Sequence, residues 1–284
     1  MNLRIAALTL LTMIAFAGNS LLCRIALRET GIDAASFTTI RLISGALVLW
    51  LIAAWLRRGR SGDGNWVSAA ALFAYAAAFS FAYLDLSAAT GALILFGAVQ
   101  ATMIGRGLAG GERFAPLQVV GLVLALAGLV GLLLPGLSAP PLGGSLLMLA
   151  AGIAWGVYSL RGRGTGDPTR VTAGNFLRAV PMAAVLSIAT LSGANLDLPG
   201  VGYAIASGAL ASGVGYAIWY SVLPALKATH AATVQLSVPV IAAIGGVLLL
   251  TETVSLRLVL ASIAILGGIA LVILEKRPVP AAAR

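Results

Sequence analysis

Charge is scarce in this chain, and acid is scarcer than base. Only 10% of the 284 residues are charged, with nine Asp and Glu against eighteen Lys and Arg. Histidine and cysteine occur once each, as His230 and Cys23, and lysine twice, as Lys227 and Lys276. One cysteine excludes an internal disulfide. One His and one Cys cannot build a metal site unless carboxylates supply the remaining ligands. Neither lysine is followed by Ser or Thr, so the chain lacks a phosphate-cradling loop. Glu29, Asp33, Asp63, Asp85, Glu112, Asp167, Asp197, Glu252 and Glu275 all lie between apolar runs or in a tail. No paired acids stand ready at depth for catalysis, and no Asp/Glu/His relay of the kind found inside proton-driven spans is evident. No enzyme activity, cofactor or metal is expected.

Apolar residues are what the chain has in quantity. They make up 60% of it, against about 45–50% in soluble domains, so its solvent must be lipid. At ~20 residues per crossing, ten segments fit: 3–23, 34–56, 66–86, 88–109, 115–134, 142–160, 171–191, 199–222, 230–250 and 256–274. The first is read as a span, being too long for a secretory signal and lacking a small-residue cleavage site before Arg24. The net charge of +9 does not indicate nucleic acid, because the basic residues gather at segment ends on one side. With a cytoplasmic amino terminus, the inner joints and tails hold Arg4, Arg57, Arg58, Arg60, Arg106, Arg113, Arg161, Arg163, Arg170, Lys227, Lys276, Arg277 and Arg284, and the outer joints only Arg24, Arg28 and Arg257. That bias places both termini inside, as does an even number of spans.

Polar and aromatic residues inside the spans are the candidate site. Span one carries Phe16, Asn19, Ser20 and Cys23 at helical spacing. Asn19 serves either an interhelical hydrogen bond or a cavity. Arg41 in span two and Arg178 in span seven are the basic residues clearly inside spans, and each is either anchored to carbonyls or touches substrate. Span three presents Tyr75, Phe79 and Tyr83 at i, i+4, i+8; span six has Trp155 and Tyr158; span eight has Tyr216, Trp219 and Tyr220. Such stripes are packing or the walls of a shared cavity. Trp55 and Trp66 flank the inner Arg-rich joint as interfacial belt residues. Gly152 and Gly156 form a close-approach motif.

The stretch Leu223–Glu252 pairs a basic start (Lys227 to His230) with Gln235, Ser237 and a proline, Pro239, within an apolar run closed by glutamate. A weaker copy lies at Leu86–Glu112. A shift of 140 residues superposes Glu112 on Glu252, Val119 on Val259, Leu126 on Leu266 and Gly128 on Gly268; shifts of 137 to 138 bring Arg41 to Arg178 and Gly18 to Gly156. An uncharged Pro/Gly joint, 135–144, separates the halves. Five spans per half means that the second copy enters from the opposite side. Inverted repeats are the architecture of alternating-access carriers, with the site near the midplane. The expectation is an all-α polytopic membrane protein of ten transmembrane helices in two inverted five-helix repeats, 1–136 and 142–284.

Ten spans in two halves, each with a helix pair joined at a glutamate (Gly111-Glu112, Thr251-Glu252), together with the segment Ala225–Glu252, resemble the EamA branch of the drug/metabolite transporter superfamily. Within that branch the chain is similar to the YddG-type amino-acid exporters of bacterial inner membranes. The resemblance implies export of aromatic and other amino acids through a cavity lined by spans one, three, four, six, eight and nine, its aromatics falling on Tyr75 and Trp155. The chain departs from the pattern at Val99, which stands where the second copy has Pro239, and at Phe96, Gly97 and Ala98.

The substrate-binding candidates are therefore Asn19, Arg41, Tyr75, Phe79, Tyr83, Trp155, Tyr158, Trp219, Gln235 and Ser237. Transport is expected to run uncoupled down a gradient, or to be coupled at a joint, with His230 the first proton-coupling candidate or else a solvated helix start. The expected partners are the bilayer and a small-molecule substrate, with no nucleic acid, and a monomer suffices for this reading. Competing readings are a multidrug exporter of cations, held by cation–π attraction, and a channel or membrane scaffold, which would not need inverted halves.

Overall fold

A computed structural model describes residues 3–55, 63–111, 114–136, 138–162, 167–226, 231 and 234–274. The described residues are helical apart from short joints. The spans are α1 (Leu3–Glu29), α2 (Ala34–Trp55), α3 (Trp66–Ala82), α4 (Ala88–Ala109), α5 (Pro116–Leu133), α6 (Leu142–Arg161) and α7 (Pro168–Ala189), then α8 (Leu198–Ala225), α9 (Ser237–Leu250) and α10 (Leu256–Leu274). Eight are long and apolar enough to cross a bilayer; α3 and α9 are shorter apolar helices.

Local chemistry sets the boundaries. Asn65 and Ser87 cap α3 and α4 by accepting from the Ser68 and Thr90 N–H groups. Asp167 and Asp197 do the same for α7 and α8, each followed by a proline in the first turn. Thr251 closes α9 in the left-handed conformation (φ 52°). Two boundaries differ from expectation by more than about four residues. Helix α1 runs on to Glu29, so Arg24 and Arg28 stand on its last turns rather than in a joint. No Gly or Pro interrupts the chain there, and both guanidinium groups find carbonyls: Arg24 on Tyr83 (2.7 Å) and Leu84 (2.9 Å), Arg28 on Leu250 (3.5 Å). The ninth span is broken at Leu236, leaving α9 with Pro239 buried in its first turn. A proline donates no N–H to the preceding turn, and the helical register stops there.

Contacts between joints show how the halves are oriented. Asp33 and Asn195 exchange hydrogen bonds (Asp33 N–H to Asn195 O 3.1 Å, Asn195 N–H to Asp33 Oδ2 3.0 Å), joining the α1–α2 and α7–α8 links. Arg24 ties the end of α1 to the α3–α4 link. Glu252 ties the α9–α10 link to Ala88, and Arg257 ties the start of α10 to Leu134 at the end of α5 (2.5 Å). All five links share one face, called here the latch face. On the opposite face, Asn65 donates to Asn175 (2.8 Å), Arg170 meets Asp63 (3.6 Å) and Arg161 reaches Ser68 (3.3 Å). Helix α1 therefore starts on this opposite face and α6 on the latch face: the repeats are inverted.

Helix packing repeats the same symmetry. Matching each helix with the one five later, α1·α8 mirrors α3·α6, α1·α9 mirrors α4·α6, and α2·α8 mirrors α3·α7. The pairs α2·α7, α4·α9 and α5·α10 lie on the twofold itself. Lipid supplies no hydrophobic drive between helices, so close approach matters. Gly152 and Gly156 allow it between α6 and α4, where an added Cβ would stand 2.5 Å from Ala98 and 2.8 Å from Thr102. Gly121 and Gly268 allow it along α5·α10, where a Cβ on Gly268 would overlap the Gly121 carbonyl.

Candidate functional site

At the centre, between the repeats, lies a cavity of about 30 Å3 walled by Phe16, Asn19 and Ser20 of α1, Tyr75 and Phe79 of α3, Leu95 and Phe96 of α4, Trp155 of α6, Ala211 and Tyr216 of α8, and Gln235 of the broken ninth span. A water needs at least ~10–15 Å3 of such space, so there is room for one or two waters and not for a metabolite. These are the same six spans that the resemblance implied.

Ring contacts form a ladder through it. Tyr158 stacks on Trp155 (centroids 5.3 Å), Trp155 meets Tyr75 (4.8 Å), Tyr75 meets Phe79 (5.4 Å), and Tyr83 sets its edge on Phe79 (4.8 Å). Tyr216 stacks on Trp155 (5.3 Å), and Phe16 stands edge-on to both Tyr216 and Trp219. The stripes of α3, α6 and α8 thus meet in one cluster, where ring pairs contribute roughly 0.5–1.5 kcal/mol each beyond burial. Tyr75, Phe79 and Trp155 are on the wall. Tyr83, Tyr158 and Trp219 stand behind it: Tyr83 reaches the Ala88 carbonyl (3.4 Å), Tyr158 is held by Thr172 and Asn175 (3.4 Å each), and Trp219 backs Phe16.

A polar chain crosses the aromatic one. Ser207 of α8 donates to Asn19 Oδ1 (2.6 Å), Asn19 Nδ2 donates to the Tyr75 hydroxyl (3.2 Å), and Arg41 Nη2 donates to that same oxygen (3.0 Å). Arg41 is 1% exposed. Its guanidinium carbon lies 5.2 Å from the Tyr75 centroid and 4.9 Å from that of Phe79. Arg41 is behind the wall and acts on the cavity through Tyr75. Arg178 is not its equivalent. It is half-buried near the opposite face and donates to the backbone carbonyls of Asp63 and Gly174.

Of the remaining candidates, Gln235 reaches the wall while donating to Ala231 (3.2 Å), and Ser237 gives its hydroxyl to the Val234 carbonyl (2.7 Å), away from the cavity. His230 and Glu112 lie outside the described residues. Sequence reasoning did not select Phe16, Ser20, Tyr216 or Ser207 as site residues, although the first three belong to stripes it had identified. Ser207 is the second residue of a π-helical segment, Ala206–Val214, in α8. Its wider turn brings Gly208 against the backbone of Arg41, and such segments are frequent at functional sites. The run of small residues there was the available signal.

At the latch face the two halves are tied together. Both Glu252 carboxylate oxygens accept from the Ala88 N–H (3.1 and 2.9 Å) at the start of α4, and Arg24 Nε approaches one of them at 3.4 Å. The side chains of Arg24 and Glu252 are 13% and 7% exposed. A larger hollow of about 630 Å3 opens at the opposite face between α2 and α7, walled by Leu47, Trp50, Leu177, Arg170, Arg178 and Asp63. It lies apart from the ring cluster. Among the described residues no group of three His, Cys, Asp or Glu is placed to hold a metal.

The EamA-like transporter family profile matches the chain twice, at residues 3–134 and 142–274. An uncharacterized protein of Pseudomonas aeruginosa is 59% identical over 271 residues, covering 95% of this chain and 94% of that one. An uncharacterized transporter of Archaeoglobus fulgidus is 28% identical over 268 residues, covering 89% and 91%. A solved crystal structure at 21% identity superposes with a TM-score of 0.67 over 94% of this chain and 98% of the other, a likeness of fold. Two profile matches, one on each inverted five-helix repeat, identify the chain as a member of the EamA-like transporter family, within the drug/metabolite transporter superfamily.

Proposed function

We propose that the protein is a secondary transporter exporting small metabolites that carry a carboxylate, amino acids among them, by alternating access between the halves 1–136 and 142–284. The observation that carries the reading is the cavity itself. It sits where the inverted repeats meet, combines apolar rings with the Arg41–Tyr75–Asn19 donors, and is latched on one face by Arg24 and Glu252. Rocking inverted repeats about a midplane site is how such folds expose it to each side in turn. The rings accept an apolar or aromatic body, and the donors accept a carboxylate. A cationic drug would find a buried guanidinium in place of an acid, which disfavours the multidrug alternative.

We place the protein in the bacterial inner membrane with both termini cytoplasmic and the latch face outward. The thirteen-to-three distribution of basic residues supports this. The three on the latch face each bond backbone carbonyls, so structure accounts for them. The test is uptake of labelled amino acids and related carboxylates into everted inner-membrane vesicles. Trp155→Ala and Tyr75→Ala are expected to lower uptake at least about tenfold, equivalent to roughly 1.4 kcal/mol, with insertion retained. Unchanged uptake in both variants would take the ring cluster out of the pathway.

A further inference from the structure

Among the described residues Arg41 is the only basic side chain buried at span depth, and none of them supplies it with a counterion. Its Nε and Nη1 atoms have no hydrogen-bond partner. The titratable groups that act on it are Tyr75, Tyr216 and Cys23, none of them a carboxylate. A guanidinium stays protonated in any protein, and burying one without a partner is costly. The faces of Tyr75 and Phe79 offset part of that cost. Tyr75 adds a further unmet donor. Its oxygen already accepts from Arg41 and Asn19, so its own O–H is left to donate, and Tyr75 lies on the cavity wall. Among the described residues no carboxylate lines the cavity.

We propose that the species carried is a net monoanion, an amphiphilic carboxylate neutralised by Arg41 through Tyr75, and that each complete export cycle therefore moves one net negative charge outward. This rests on the carrier reading above and narrows it. A monoanion brings the site to zero charge. A zwitterion leaves it positive and adds an ammonium that finds only neutral partners on the described wall, ring faces and oxygens such as the Asn19 and Gln235 amides. A cation doubles the mismatch. Net charge also supplies the energy source. An inside-negative potential drives a monoanion outward with a gradient of about 50-fold per 100 mV, so export needs no proton relay in the spans.

The test uses the full chain in liposomes with a potassium diffusion potential and three probes sharing one benzyl body: 3-phenyllactate (charge −1), phenylalanine (0) and phenylalaninol (+1). The expected result is phenyllactate flux at least about tenfold above phenylalanine. Its distribution should shift by about 50-fold per 100 mV toward the positive side. This readout needs no variant. Arg41→Gln should abolish the flux, and Arg41→Lys should lower it while keeping the voltage slope. Preferred transport of phenylalanine without voltage dependence overturns the proposal and leaves the carrier reading intact, as does movement of none of the three. Chloride current in place of phenyllactate flux also overturns it. Phenyllactate flux that unlabelled phenyllactate on the far side does not accelerate supports the anion at Arg41 and contradicts the carrier reading.

Discussion

The latch offers a prediction whose magnitude follows from its geometry. In Glu252→Gln the amide oxygen can still accept from Ala88 N–H, but the negative charge is gone. Hydrogen bonds to charged groups contribute about 1.5–3 kcal/mol and neutral ones about 0.5–1.5, so each of the two partners, Ala88 N–H and Arg24 Nε, loses about 1 kcal/mol. The Arg24 contact is long at 3.4 Å, and Arg24 keeps its two carbonyls, which brings the total to about 1–2 kcal/mol. If the bonds exist only while this face is closed, the open state gains about 5- to 30-fold in population. The native Cys23 reports the change. It is the only cysteine, stands one residue before Arg24 and is fully buried. Its maleimide-labelling rate in detergent should rise by the same factor, because the thiol reacts only from the open state. An unchanged rate in a folded Glu252→Gln protein would refute the latch.

Three further outcomes follow from the same contacts. Tyr75→Phe leaves the Arg41 and Asn19 donors without an acceptor, costing about 1–3 kcal/mol for each buried donor; a thermal melt should show that loss and vesicle uptake should fall, whereas equal stability would contradict the network. Gly268→Val drives α10 into the Gly121 carbonyl and the Ala125 nitrogen, an overpacking worth about 1–3 kcal/mol, and a melting temperature matching the wild type would show that this seam is not close-packed. For Asp33, burial pushes the carboxyl up, but hydrogen bonds from Ser36, Asn195 and Ala35 outweigh it and hold the value below the usual range. Its contribution is therefore complete above about pH 4, the unfolded value, and is lost as pH falls through the lower folded value. Asp33→Asn should lower the melting temperature between pH 5 and 8 and converge with the wild type near pH 2; a constant difference would contradict the assignment.

Most of the architecture was legible because spans announce themselves by length. Segments such as 88–109 and 256–274 coincide with α4 and α10. The inversion followed from five spans per half, and the Asp33–Asn195 and Arg24–Tyr83 contacts now show it directly. The end of α1 was missed because two arginines look like a joint until the carbonyls that receive them are known. The site was legible as residue types and not as partnerships. Asn19 and its acceptor Tyr75 are 56 residues apart, and its donor Ser207 is 188 away. No local pattern encodes those distances. Periodicity put Tyr75, Phe79 and Tyr83 on one face, but the turn of that face toward the latch carries Tyr83 past the cavity to Ala88. Ser237 looked available beside a proline break, yet the freed helix start let its hydroxyl bond locally to Val234. Glu252 read as a joint acid; that it accepts the Ala88 N–H at the start of α4, 164 residues away, is a tertiary fact.

The central claim is that the cavity between the inverted repeats is exposed to one side at a time. Counterflow in liposomes tests it most directly. With the full chain reconstituted and phenyllactate or an amino acid loaded inside, entry of the labelled compound should be accelerated and should transiently overshoot equilibrium, because the loaded carrier returns faster than the empty one. Entry at the same rate into loaded and empty vesicles, with no overshoot, would mean a continuous pore and would contradict alternating access.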